Sequence, residues 1–333
     1  MLRQGGAQAG RQQGVRLMAE TKGTVVIAVG GNSLIVSEDR QTIPDQYEAA
    51  VATVKHIVNM IEAGWNVVIT HGSGPQVGYI LRRSELAIAE IAPVPMDYAD
   101  ADIQGAVGYM FQRALHNEFV KRHIDKRAVA VVTQVLVAGD DPAFNNPTKP
   151  IGPQLDEATA RKRAADLGWD VKDDAGRGWR RVVPSPKPVE IIELEQIRLL
   201  AAAGFVVIAC GGGGIPVLTN EKNYLVGVEA VIDKDLASAL LAAKLSAERF
   251  IIATDVEKVA LNWGTPKQSW LKDVSLAEAE RLLAEDQFDA GSMGPKVEAM
   301  TEYLSNGGGV GVITNPENLE AALSGKAGTR FSA

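Results

Sequence analysis

The stretch VVIACGGGGIPVL, residues 206–218, runs a string of strand-forming residues into four consecutive glycines and a proline. Each glycine costs conformational entropy on folding, so four in a row call for more than a turn. Backbone N–H groups can converge on a bound group only where no Cβ intervenes, and phosphate is the commonest such group. The stretch predicts a buried strand ending at an anion site.

The same sentence is written elsewhere in the chain. VVIAV (25–29) leads into GGN, and NVVIT (66–70) leads into HGSGPQ. AVVTQVLV (130–137), FIIAT (250–254) and VGVIT (310–314) are further strand candidates. Apolar runs without alternation suit strands covered on both faces, which predicts a parallel α/β sheet. Helical spacing fills the intervals. From Asp45, residues Tyr47, Val51, Val54, Ile57, Val58 and Ile61 recur every three or four positions, and Gly64 ends the pattern. A second helix is expected from about Val189 to Gly204, and a third starts at Ser275 with Glu278 at capping-box spacing.

Residues 140–188 break the rhythm: seven of the fifteen prolines fall there, around the helical pattern LDEATARKRAADLGW. A long structureless loop inside a compact domain is rare, so this segment reads as a small subdomain projecting from the sheet. Its end gathers Arg177, Arg180, Arg181 and Lys187, either as solvated surface or as charge for an anion.

The totals exclude several classes. With 333 residues the chain can bury a large core without staples, as one domain or two lobes. A net charge of −7 argues against a nucleic-acid coat, so a bound anion must be met by local positive charge. Cys210 is the only cysteine, which rules out an internal disulfide and suits a reducing, cytoplasmic setting; its place at the end of an apolar run reads as buried. No apolar run has the roughly 20 residues of a membrane helix. Residues 1–21 read as a disordered tail, with a start at Met18 as the alternative.

Ligands of open α/β sheets sit beyond the carboxyl ends of the strands, so the three glycine loops point to one crevice. No loop fits the GxxxxGK[ST] or GxGxxG fingerprint. Two lysines offer another way to hold an anion. Asp233 can cap a helix whose first turn holds Lys234, and Pro295 suits a first helical position followed by Lys296. The helix dipole disfavours a cation there by roughly 0.3–1 kcal/mol, so a lysine placed twice against it reads as a ligand for anionic oxygens. Lys149, held between prolines in NNPTKPIG, offers a third ammonium from the projecting segment.

Together AVGGNSL, THGSGPQVG, DPAFNNPTKPIG, AGRGWRRVVPSPKP, IACGGGGIPV, GVEAVIDKDLAS, TDVEKV and GSMGPKVEA resemble the carbamate kinases of the amino-acid kinase superfamily, from Lys22 almost to the C-terminus. The projecting segment and EAVIDKD separate this group from acetylglutamate and uridylate kinases. The resemblance implies a three-layer αβα sandwich on a mainly parallel sheet of about eight strands. It further implies an N-terminal lobe (22–215, with the subdomain 140–188) for the carbamoyl group and a C-terminal lobe (216–333) for the nucleotide. The reaction implied is reversible phosphoryl transfer between ATP plus carbamate and ADP plus carbamoyl phosphate. Mg²⁺ travels on the nucleotide with no site of its own, and the usual assembly is a homodimer.

By the same resemblance, Lys149, Lys234, Asp235 and Lys296 are catalytic. Gly30, Gly31, Asn32, Gly72, Ser73 and Gly74 face the carbamoyl phosphate. Gly211, Gly212, Asp255 and Met293 join Lys234 and Lys296 around the nucleotide, with Gly211–Gly214 as a backbone nest where the lobes join. Two departures stand out: Ser73 where many relatives have asparagine, and the acidic stretch MDYADADIQGAVGYM. His71, beside a glycine loop, reads as a structural hydrogen-bonding residue. Rival readings are a superfamily kinase for another small acid and a non-catalytic nucleotide-responsive regulator.

Overall fold

The protein is described by a computed structural model covering residues 21–31, 34–35, 40–174, 178–289 and 291–333. The expected tail up to residue 20, together with Asn32 and Arg177, lies outside the described residues.

Strand β1 (Thr24–Val29) is the unalternating run read above, and all but its first residue are buried. Helix α1 (Ile43–Glu62) starts with a reciprocal cap: the Thr42 hydroxyl accepts from the Asp45 N–H while the Asp45 carboxylate accepts from the Thr42 N–H. Strand β2 (Asn66–His71) leads through the second glycine loop into α2 (Gly74–Leu86), then α3 (Met96–Arg122). The run AVVTQVLV does not form one strand. It divides into β3 (Ala128–Ala130) and β4 (Gln134–Val137), because Gln104 of α3 bonds both the N–H and the carbonyl of Thr133 between them.

The projecting subdomain follows. Strand β5 (Lys149–Leu155), helix α4 (Glu157–Leu167), β6 (Asp170–Asp173) and β7 (Trp179–Val183) form a three-stranded antiparallel sheet in the order β5-β7-β6 with one helix. Asp156 caps α4 at its start, and Gly168 ends it. The expected helix 189–204 is a strand and then a helix: β8 (Pro188–Ile191) pairs with β4, and only α5 (Leu194–Ala202) is helical.

Strands β9 (Val206–Ile208), β10 (Ile215–Thr219) and β11 (Leu225–Gly227) precede α6 (Lys234–Lys244) and β12 (Arg249–Ala253). The rest comprises the hairpin β13 (Ala260–Leu261) and β14 (Ser269–Trp270), β15 (Asp273–Ser275), α7 (Leu276–Ala284), α8 (Met293–Ser305), β16 (Val310–Thr314), α9 (Leu319–Leu323) and β17 (Thr329–Ser332).

The main sheet has eight strands in the order β15-β17-β16-β12-β1-β2-β9-β3, and only the β16–β17 pair is antiparallel. Alternate residues of β1 serve opposite cores. Val25, Ile27 and Val29 pack with α1 and α3 residues, while Val26 and Ala28 pack with residues of α6 and α8. This is the expected αβα sandwich. A second sheet, β11-β10-β4-β8, was not expected from the sequence. No helix among the described residues is long and apolar enough to cross a membrane.

The subdomain docks on α2 at a point of backbone contact. A Cβ built on Gly78 would lie 2.0 Å from the Gly152 Cα, so only glycine lets the two segments meet.

Candidate active site

A cleft of about 210 Å³ opens where the strand ends and the subdomain meet. One wall carries Gly30, Gly31, Gly72, Ser73 and Gly74, while Lys149 and Arg180 come from the subdomain. The facing wall carries Asp233, Lys234, Asp235, Asp255 and Lys296. The two glycine loops on the first wall are in close contact, since a Cβ on Gly72 would lie 2.6 Å from the Gly31 nitrogen and 3.0 Å from the Lys234 side chain.

Local sequence explains each lysine's position. Asp233 is the N-cap of α6, and its carboxylate accepts from the N–H groups of Asp235 (2.8 Å) and Leu236 (3.4 Å). Lys234 therefore falls at the first helical position. Helix α8 begins at Met293, so Pro295 occupies its third position rather than its first, and Lys296 follows. Proline is tolerated there because first-turn N–H groups have no intrahelical acceptor. Lys149 opens β5 and is delivered by the subdomain.

The ammonium groups meet two aspartates. Lys234 and Lys296 both donate to Asp235, the latter at 3.0 Å, and Lys149 donates to Asp233. Within this cluster three ammonium groups share two carboxylates, and Arg180 and Asp255 add one charge of each sign to the lining. Burial drives the Asp235 carboxyl toward its neutral form, but Lys234 and Lys296 outweigh that and hold it below its ordinary range. Burial likewise raises Asp233, and Lys149 and Lys234 reverse it, leaving Asp233 well below the usual carboxylate range. For Lys234, burial lowers the ammonium's pKa despite Asp235, whereas for Lys296 the Asp235 charge overcomes burial and raises it.

Two expected residues, Gly211 and Met293, stand apart from this cleft wall. Gly211 is buried, and a Cβ there would lie 2.4 Å from the His71 Nε2. Met293 starts α8 without being among the lining residues. Asn32 lies outside the described residues. The glycine run has a packing use that the sequence reading did not anticipate. Gly212 has a positive φ of 71°, and a Cβ there would strike the Ser73 Oγ at 2.5 Å. The N–H groups of Gly213 and Gly214 bond to the carbonyls of Cys210 and Gly211, both at 3.0 Å. Of the four glycines, Gly212 lines the cleft.

His71 is structural, as expected. Its Nδ1–H donates to the Gly72 carbonyl at 3.2 Å, its ring stacks on Phe111, and burial lowers its pKa to about 4. Cys210 is buried, which pushes its thiol up and away from the nucleophilic thiolate.

The chain is similar to known proteins along most of its length. Residues 23–315 match the model of the amino acid kinase family. The chain belongs to that family. Among its curated relatives, the carbamate kinase of Pyrococcus horikoshii is 50% identical over 92% of this chain and 98% of its own length. The carbamate kinase-like protein YahI of Escherichia coli is 45% identical over 93% of this chain and 99% of its own. Among solved structures, the carbamate kinase from Giardia lamblia bound to AMP-PNP is 40% identical, with a TM-score of 0.85 over 93% of this chain and 98% of that one.

Within the family frame, sequence reasoning missed one residue of consequence. Asp233 was read only as a cap, yet it also anchors Lys149 across the cleft. The signal was present in the DKD triplet, where two acids flank a lysine destined for a buried helix start.

Proposed function

We infer that this chain is a carbamate kinase, transferring a phosphoryl group reversibly between ATP and carbamate. The observation that carries this reading is the convergence of Lys149, Lys234 and Lys296, from three separate segments, on a glycine-walled cleft. In the ATP-forming direction, a β-phosphate oxygen of ADP attacks the phosphorus of carbamoyl phosphate. One P–O bond forms to ADP as the P–O bond to carbamate breaks. The travelling group spreads negative charge over three oxygens, and positioned cations and N–H donors stabilise it. The departing carbamate oxygen is stable as an anion, so no general base is required, which fits a site whose nearest histidine is buried and neutral.

The residue assignments belong to this reading. Lys296 and Lys234 meet the transferring and nucleotide phosphates, Asp235 keeps both lysines charged and in place, and Lys149 serves the carbamoyl side. Gly30, Gly31, Asn32, Gly72, Ser73 and Gly74 hold carbamoyl phosphate from residues 22–215. Gly211, Gly212, Asp255 and Met293 stand toward the nucleotide, held mainly by residues 216–333. Magnesium fits as an ion brought on the nucleotide: Asp233 and Asp235 are taken up by lysines, which leaves Asp255 to face it. The metal's part would be to neutralise phosphate charge. A homodimer is supported by the exposed Tyr98, Tyr109 and Val120 along α3, and a cytoplasmic setting by the lone buried cysteine.

The test is direct. Purified protein given carbamoyl phosphate, ADP and Mg²⁺ should form ATP, read by a coupled assay. Absence of ATP, with phosphorylation of another small carboxylate instead, would replace this reading with the neighbouring one in the family.

A further inference from the structure

The basic end of the subdomain divides its charges. Lys187 donates to Glu298 of α8 at 2.6 Å, and Arg180 lines the catalytic cleft, 3.6 Å from Asp174. Arg181, the next residue of β7, turns to the other face by strand alternation and has no part in the mechanism above. There it lines a second cavity, about 370 Å³ and open to solvent, between α2, the segment 93–95 and the subdomain. Ligand pockets are commonly of this size and mostly apolar, with a few placed polar groups. Leu81, Val94, Pro95, Leu167 and Trp169 supply the apolar part. Most of the polar lining is already partnered: Glu85 accepts from Arg82 at 3.1 Å, and the Ser84 Oγ accepts the Val94 N–H at 2.7 Å. Two charges remain. The Arg181 guanidinium lies 5.0 Å from the centre of the Trp169 ring, and among the described residues no carboxylate is within ion-pair distance of it. Burial lowers its pKa, and Glu229, Glu85 and Asp170 oppose that only from a distance. Glu229, at the rim, gives one oxygen to the Met96 N–H at 3.0 Å, and its second oxygen has no partner among the described residues. A cation and an anion thus face one apolar cavity without reaching each other.

We propose that this cavity binds a free α-amino acid with an apolar side chain. The carboxylate pairs with Arg181, whose forked donors match two carboxylate oxygens. The ammonium donates to Glu229, and the side chain covers Leu81, Val94 and Trp169. Phosphate would add excess negative charge to a cavity that already holds Glu85 and Glu229, and a plain carboxylate would leave Glu229 unused. The proposal goes beyond the carbamate kinase reading and needs no nucleotide. It bears on the subdomain all the same. Arg181 lies opposite Ile151 on β5, two residues from Lys149, and Ile151 also lines the catalytic cleft. An amino acid bridging Glu229 and β7 holds the subdomain against α2, so binding and docking favour each other.

Titration calorimetry on the whole protein, without nucleotide or carbamoyl phosphate, tests this with leucine and phenylalanine as probes. At least one should bind, roughly tenfold or more tighter than its deaminated counterpart, 4-methylpentanoate or 3-phenylpropanoate. Arg181→Gln should abolish that binding. Glu229→Gln should reduce the amino acid to the affinity of the deaminated acid and leave the latter unchanged. Lys296→Ala, in the catalytic cleft, should change neither. Failure of both amino acids to bind overturns the proposal, as does equal binding of amino acid and deaminated acid. Binding that survives Arg181→Gln, or is lost in Lys296→Ala, places the ligand elsewhere and also overturns it. If Arg181→Gln does not fold, Glu229→Gln decides: a lost preference for the amino acid supports the proposal, and a retained one overturns it. A protein that forms ATP from carbamoyl phosphate yet fails these titrations overturns this proposal alone, since ATP formation is not part of the readout.

Discussion

The cleft has two kinds of lysine. Lys234 and Lys296 are nearly enclosed, start or follow the first turns of core helices, and share Asp235, which is 2% exposed. Lys149 sits on an added subdomain, is about one-third exposed, and pairs with the capping residue Asp233. The inner cluster is part of the fold's own core. The outer pair depends on how the subdomain docks. On the roles proposed above, fold stability and catalysis are coupled at Asp235 and separable at Lys149.

The sharpest break of this contrast is in turnover. Lys296→Ala and Lys149→Ala should each lose roughly 10²–10³ in kcat, as removal of one preorganised electrostatic donor does, against no change for exposed Lys267→Ala. Thermal melts of the same proteins then distinguish the two kinds. Asp235→Ala leaves two buried ammonium groups without their shared partner and should cost about 3–5 kcal/mol of stability. Lys149→Ala, at a partly exposed ion pair, should stay within about 1 kcal/mol of wild type. Equal losses for the two would erase the distinction.

Docking can be tested without touching a charge. Gly78→Ala forces β5 away from α2 and should lower kcat by up to roughly 10²-fold, since small misplacements of a catalytic group cost that much. Made on the Lys149→Ala background it should add little, because both changes remove the same ammonium from the site.

The pH dependence of stability offers a finer probe. Asp233 and Asp235 are held below their ordinary value of 3.8 in the folded chain, so the unfolded chain takes up protons first as pH falls. Their stabilisation is complete above that value and is lost below it. The Tm deficit of Asp233→Asn should accordingly be full at pH 6 and shrink below about pH 4. Asp100 is shifted the other way, and its ionisation favours the unfolded chain as pH rises. Asp100→Asn should raise Tm at neutral pH, with the gain fading toward pH 4.

Much of this was legible in the sequence because local chemistry decided it. The buried parallel strands announce themselves as unalternating β-branched runs, and Lys234 follows a capping aspartate that fixes its place on α6. What was not legible depends on distant partners. Nothing near Thr133 says that Gln104 will split a strand there. The apolar residues of 188–191 fit a helix or a strand equally, and pairing with β4 decides for the strand. The ion pair of Lys149 with Asp233 spans 84 positions and exists only once the subdomain has docked. The glycine run was read through its ligand alone, whereas its neighbours His71, Ser73, Ile232 and Val135 also require the missing side chains.

The central position of β1 has a further consequence. This first strand lies between β2 and β12, in register with both, so strands from the two ends of the chain share one continuous sheet. Severing the exposed turn at 220–224 would leave each piece with a bare, apolar strand edge where its counterpart had been. The fragments should survive only as a reassembled pair, with phosphoryl transfer returning when they are co-expressed and absent from either one alone.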